Sequence, residues 1–179
     1  MKRRTLLKGI ATGTAAGLAG GAWWLAGDPA AVAGIADLGA ARAWVQRIAA
    51  SPGARSLTAW PLAQVLEHCA QSIEFSLDGF PEMKPAWFQA SAGTLAFRAF
   101  ARAGAMRHGT TEPIPGAPAL AATDVTAASD RLLAALDRFA AHAGPLQPHF
   151  AYGALDRAQY TRAHLLHLAE HAGEIDGLA

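Results

Sequence analysis

Two histidines one helical turn apart, His167 and His171, close the run His164-Leu165-Leu166-His167-Leu168-Ala169-Glu170-His171, and a third, His68, stands far upstream. An α-helix turns about 100° per residue, so residues four apart differ in direction by only about 40°. Two imidazoles placed that way can chelate one divalent ion. A third from another helix completes three protein ligands with a fourth position open, the arrangement that catalytic metal sites prefer. His164 and His171 lie about 10 Å apart along the axis, too far for both to join His167 without distortion. The chelating pair is therefore His167 with His171 or His164 with His167.

The elements that must carry these side chains are helices. Ala and Leu dominate, and the alternating or β-branched runs expected of strands are missing. A first helix is expected from Leu38 to Ala50, ended by Ser51-Pro52-Gly53. A second follows Trp60, with Pro61 in its first turn, and runs to about Leu77. The third covers Pro85 or Trp87 to Ala103 and stops at Gly104. Residues 105–121, with Pro113, Pro115, Gly116 and Pro118, form an irregular connection. The fourth, capped by Thr123, reaches about Ala143, and the fifth runs from near Asp156 to Gly173. The fold class is all-α: an antiparallel four-helix bundle with one extra helix, preceded by an N-terminal signal helix.

On the fifth helix His164, His167 and His171 fall within about 60° of one another, near Tyr160 and Leu168, while Arg162 and Ala169 face the opposite way. On the second, Leu62, Val65, Leu66, Cys69 and Ile73 make an apolar stripe with His68 at its edge. From there His68 either points into a cavity of the bundle or hydrogen-bonds a neighbour as a partly exposed side chain.

The N-terminus reads Lys2-Arg3-Arg4-Thr5-Leu6-Leu7-Lys8, followed by a Gly/Ala-rich apolar stretch to Ala26. Paired arginines, two leucines and a closing lysine resemble a twin-arginine export signal, and Ala31-Val32-Ala33 offers a cleavage site. The expected organisation is a signal at 1–33 and one domain at 34–179. The expected partner is the twin-arginine translocation machinery. The expected location is periplasmic, or anchored in the inner membrane if the signal stays attached. The full chain has a formal net charge of +1. Residues 1–33 hold four basic side chains and one acidic one, so eleven basic and thirteen acidic remain. That balance offers no basic patch for nucleic acid. Cys69 is the sole cysteine, which excludes an internal disulfide, and a C-x-x-C-H haem-attachment motif is absent. A homodimer is the expected self-association for a bundle with an exposed apolar edge.

The stretch from Trp60 to Ser72, containing Trp60-x-x-x-Gln64-x-Leu66-x-His68, resembles the opening of the core in the DinB/YfiT-like superfamily, and more closely a branch of unknown function within it. His149-Phe150-Ala151-Tyr152-Gly153-Ala154-Leu155 resembles that branch's H-P-x-F-G-x-L segment, and His167-Leu168-Ala169-Glu170-His171 its H-x-x-H-H motif. The resemblance spans roughly residues 38–178. It implies a four-helix bundle whose metal ligands are one His on the second helix and two on the last, hence His68, His167 and His171. Glu170 departs from the motif's middle His, and Ala172-Gly173-Glu174 from a more basic segment.

Three neutral imidazoles leave a divalent ion most of its charge, enough to lower the pKa of a bound water towards about 7. Zn²⁺ is the default ion, and Ni²⁺ or Fe²⁺ also suit imidazole. Characterised relatives of the superfamily include thiol-dependent transferases and isomerases. An exported protein lacks the cytoplasmic thiol pool, so a metal-dependent hydrolase acting on a small-molecule substrate is the expected activity. A non-catalytic exported bundle that binds a metal or small ligand is the alternative. Glu170, Glu174 and Tyr160 are candidates for proton transfer or for supporting the ligands. Cys69 reads as a small buried hydrophobe, Arg98 and Arg102 as a solvated face, and His108 and His142 as solvent-exposed. His149 reads as a local cap.

Overall fold

The computed structural model describes residues 28–179. The expected twin-arginine segment, from Lys2 to Ala26, lies outside them. Among the described residues the chain is mostly helical, as its composition implies. Helix α1 spans Leu38–Ala50, strand β1 Arg55–Ser56 and helix α2 Leu62–Asp78. A third rod begins as α3, Ala86–Phe88, passes through a π-helical turn, Gln89–Gly93, and continues as α4, Thr94–Ala103. Helices α5, Val125–Ala141, and α6, Arg157–Ala172, follow, and β2, Ile175–Asp176, pairs antiparallel with β1. Two residues are too few to leave an alternating pattern, so this ribbon escapes periodicity.

Three aspartates start helices. Asp37, Asp124 and Asp156 accept the backbone N–H groups of Ala40, Ala127 and Gln159. Gln159 returns a bond to the Asp156 N–H, closing a capping box ahead of the histidine helix. Asp124, not Thr123, thus caps α5, since its carboxylate is the one within reach of the third residue on. The π turn also departs from the expected continuous helix. Its last residue, Gly93, faces the carbonyl of Ala151, which a Cβ would approach to 1.8 Å. Only glycine lets the 149–153 turn lie against the rod there.

Helices α1, α2, α5 and α6 supply the core. Trp44 and Ile48, Leu66 and Ile73, Leu132 and Phe139, and Tyr160 and Leu166 meet there, with α2 lying along α5. Cys69 belongs to this core, and burial pushes its thiol pKa up, so it is a buried hydrophobe rather than a nucleophile. The α3–α4 rod rests against α6, burying Phe97 and leaving Trp87 exposed. No helix among the described residues is long and apolar enough to cross a membrane.

Residues 28–35 are tied to the helices. The Arg102 guanidinium donates to the Asp28 carbonyl at 2.8 Å, and Arg162 donates to the carbonyls of Ala30 and Ala101. Gly104, at φ +69°, makes room for the Ala31 carbonyl, which a Cβ would meet at 2.3 Å. Val32 and Ile35 enter the core, 4% and 1% exposed. Val32→Ala in the full chain is therefore expected to lower unfolding free energy by about 1–3 kcal/mol, read by urea denaturation.

His164 is spent on packing. Its ring meets Phe139 edge-on at 4.8 Å and stacks on Tyr160 at 5.5 Å, with Nε2 3.2 Å from the Ser76 hydroxyl. Burial pulls its pKa from 6.5 down to about 3. The folded chain holds it neutral while the unfolded chain takes up a proton, so this stability is complete above about pH 6.5 and is lost as pH falls towards 3. About 2 kcal/mol of it is expected to be gone by pH 5. His164→Gln should flatten the fall in urea stability between pH 7.5 and 5, and an unchanged slope would count against this assignment.

Candidate metal centre

The two core helices α2 and α6 bring the distant histidines together. His68, on α2, is 3% exposed, and His167 and His171, on α6, are 9% and 0% exposed. His68 Nε2 lies 3.2 Å from His167 Nε2, and His171 Nε2 lies 3.1 Å from the same atom. Of the two chelating pairs open to α6, the structure brings His167 and His171 together beside His68. His164 is turned into the core.

Protons cannot satisfy this arrangement. A neutral imidazole carries one N–H, and His167 Nε2 faces two other Nε2 atoms. If it is protonated it can serve only one neighbour, and if it is bare its single lone pair takes a well-directed N–H from only one of them. The distal nitrogens do not relieve the problem. The Nδ1 atoms of His68 and His171 are buried with no hydrogen-bond partner. Adding charge is no remedy either. Burial, then the neighbouring His108, pulls His68 down to about pKa 4. Burial, then His68 and His108, pulls His171 down to about 3. His167 lies well below 6.5, through burial first and then His171 and the other histidines. The three are neutral at physiological pH, the form in which imidazole ligates metal. Around one ion at Zn–N distances of about 2.0–2.1 Å, tetrahedral nitrogens sit about 3.3 Å apart, close to the separations found. The donor set fits a divalent cation.

A fourth histidine joins them. The ligand nitrogens of His68, His108, His167 and His171 all lie within 4.8 Å of one another. His108 is therefore not the plain exposed loop residue its sequence context suggests, although its side chain remains 29% accessible. Its Nδ1 lies 2.5 Å from Glu170 Oε2, and its backbone N–H donates to Glu170 Oε1 at 2.8 Å. With Nδ1 engaged, Nε2 is the nitrogen left for a metal. No periodicity could have found it, because it sits in the irregular segment between α4 and α5.

That segment is held over the site by side chains from α2 and from the C-terminal end of α6 and the residues just past it. Glu67 accepts the N–H groups of Ala121 and Ala122, and Gln71 donates to the Pro118 carbonyl. Glu174 accepts the Thr110 hydroxyl with one oxygen. Its other oxygen, buried and unpartnered, lies 3.9 Å from His171 Nδ1, where a small shift would let it orient that ring. Tyr160 has no part in proton transfer here, because its hydroxyl is committed to the Gln147 carbonyl at 2.6 Å. His142 ends α5, half-buried, its ring near the Pro145 carbonyl.

A cavity of about 220 Å³ opens beside the cluster, with His68, His108 and His167 at one side and Lys84, His149 and Phe150 elsewhere on its wall. A buried polyhistidine cluster adjoining such a cavity could hold a metal ion where a small molecule reaches it.

Neither a curated protein sequence nor a solved structure matches the chain significantly. One family, described as "Protein of unknown function (DUF1569)", matches residues 33–177 and so takes in every histidine of the cluster. The chain belongs to the DUF1569 family.

Proposed function

We propose that this chain is a DinB-like metalloprotein in which His68, His167 and His171 hold one divalent ion, Zn²⁺ by default, and that it is a metal-dependent hydrolase of a small molecule. The observation that carries this reading is the meeting of three neutral, buried Nε2 atoms that no arrangement of protons satisfies. When bound, such an ion supplies a Lewis acid that makes water acidic enough to attack an ester or amide near neutral pH. The protein's own share is positional. Helices α2 and α6 fix the imidazoles, the apolar core behind them excludes water, and the cavity admits a substrate from one side. Export by the twin-arginine route, which carries folded proteins, accords with a site assembled before transport. A cut after Ala33 would take Val32 out of the core.

Purified full-length protein is expected to hold near-stoichiometric metal by elemental analysis. His68→Ala/His171→Ala should lose it, while His164→Gln, at a ring outside the cluster of four, should keep it. Metal-free native protein that cannot be reloaded would sink the proposal.

His108 favours a second reading, a closed four-nitrogen site that stores or is braced by a metal without catalysis. The two readings separate in the Co²⁺-loaded protein. Under the closed reading His108→Ala replaces a ligand by water, shifting the visible spectrum and weakening metal binding by about 10–100-fold. Under the open reading the spectrum is unchanged.

A further inference from the structure

His149 lies outside the metal cluster, and the proposed hydrolysis gives it no task. Its Nδ1 accepts two backbone N–H groups of its own turn, from Ala151 at 3.1 Å and Tyr152 at 3.2 Å. Backbone amides can only donate, so Nδ1 must be bare and the proton must sit on Nε2. Burial, then His164, pulls the ring's pKa down to about 3, so it stays neutral in that tautomer across the physiological range.

The ring cannot turn away. It is stacked on Tyr152 at 4.1 Å with planes 8° apart, on Phe150 at 4.7 Å, and against Phe80 at 4.9 Å. The turn itself is closed by reciprocal bonds between His149 and Gly153 and seated against Gly93. Nε2–H is thus a donor fixed in place on a ring that lines the cavity, and no protein group among the described residues accepts from it.

The backbone of a lysine is fastened beside it. The Lys84 N–H donates to the Phe150 carbonyl at 2.9 Å, and the Lys84 carbonyl accepts from Gln89 at 2.6 Å, so the backbone holds Lys84 against the His149 turn. Both residues line the same cavity, whose walls also carry Met106, Ile114 and Tyr152. Glu112, the acid on that wall, disfavours an anion on its own side. The volume, about 220 Å³, is below that of pockets taking drug-sized ligands.

We infer that this cavity is a binding site for a small organic carboxylate with an apolar body, its carboxylate held by His149 Nε2–H and Lys84. This names the substrate class of the hydrolase proposed above and rests on that reading for its catalytic meaning, though not for the binding itself.

The test uses the full chain, Zn²⁺-loaded, with benzoate as probe and benzyl alcohol as its uncharged counterpart, both titrated by NMR. His149→Asn keeps an acceptor near the Nδ1 position for the turn and deletes the Nε2–H. It is expected to weaken benzoate binding by about tenfold, the worth of one charge-assisted hydrogen bond. Lys84→Met, on a surface segment, should do the same while leaving benzyl alcohol unaffected, and it carries the test should His149→Asn not fold. Benzoate affinity equal in the wild type and Lys84→Met, or no benzoate binding to the wild type, overturns the inference. Metal content measured on the same samples separates the two claims. Benzoate binding that depends on Lys84 and His149 in a protein that never takes up metal supports the subsite and defeats the metalloenzyme reading.

Discussion

The Nε2 atoms of His68 and His171 converge on one atom, His167 Nε2, and no allocation of protons gives every ring nitrogen of the three a partner. In water such a cluster would open or charge itself. Here neither escape is available, because burial penalises the imidazolium form and the helices hold the rings. The core therefore bears the cost of keeping unsatisfied nitrogen lone pairs face to face. Leu66, Leu166 and Leu168, fully or almost fully buried, stand on the same two helices as the histidines. Their burial is what keeps the rings from separating. A cation in the centre converts the same lone pairs from a cost into ligand bonds.

The second constraint concerns the chain between α4 and α5, which has few apolar residues to fix it and must still present His108. Polar side chains of α2 and α6 do that work. Glu67 and Gln71 flank His68 on α2, while Glu170 on α6 and Glu174 just past its end flank His171. Ligand and strut are neighbours on each helix, so a rotation that moved the ring would also loosen the loop. Glu170, which stands where the H-x-x-H-H motif that this stretch resembles has a histidine, takes on meaning here. A carboxylate at that position binds both the backbone and the ring of His108, which a histidine could not do with a single acceptor.

Helix periodicity made the rods and their faces legible. It placed α1 and both ends of α6 closely, and it put His167 and His171 one turn apart on a face shared with apolar residues. It could not choose between His164 and His171 as the partner of His167, because both lie on that face. The choice depends on Phe139 and Ser76, which come from other helices and whose approach is a tertiary fact. The π turn left no mark in the periodicity, and the need for glycine at its last residue comes from the Ala151 carbonyl, again a tertiary contact. His108 was hidden more deeply. Its place follows from hydrogen bonds made 62 residues away in sequence, and a proline-rich connection has no period from which to read direction.

Burial alone does not distinguish the histidines of this chain, since His68, His164 and His171 are all nearly inaccessible. What separates them is which ring nitrogen finds a partner in the protein. His164 gives its Nε2 to a serine hydroxyl and is finished as a packing residue. His149 gives its Nδ1 to two amides, and its remaining proton, on Nε2, is left as a donor. His68 and His171 keep Nδ1 unpartnered and turn Nε2 towards another Nε2, so with the single proton of each on Nδ1 both present a bare Nε2 lone pair to the cluster. The first pattern needs no ligand, the second asks for an acceptor and the third for a cation. The cavity is lined by a member of each group, with the candidate ligands on helices and the donor on a braced turn. That division suits a site in which one end polarises and the other end orients, because orientation tolerates a turn and ligation does not.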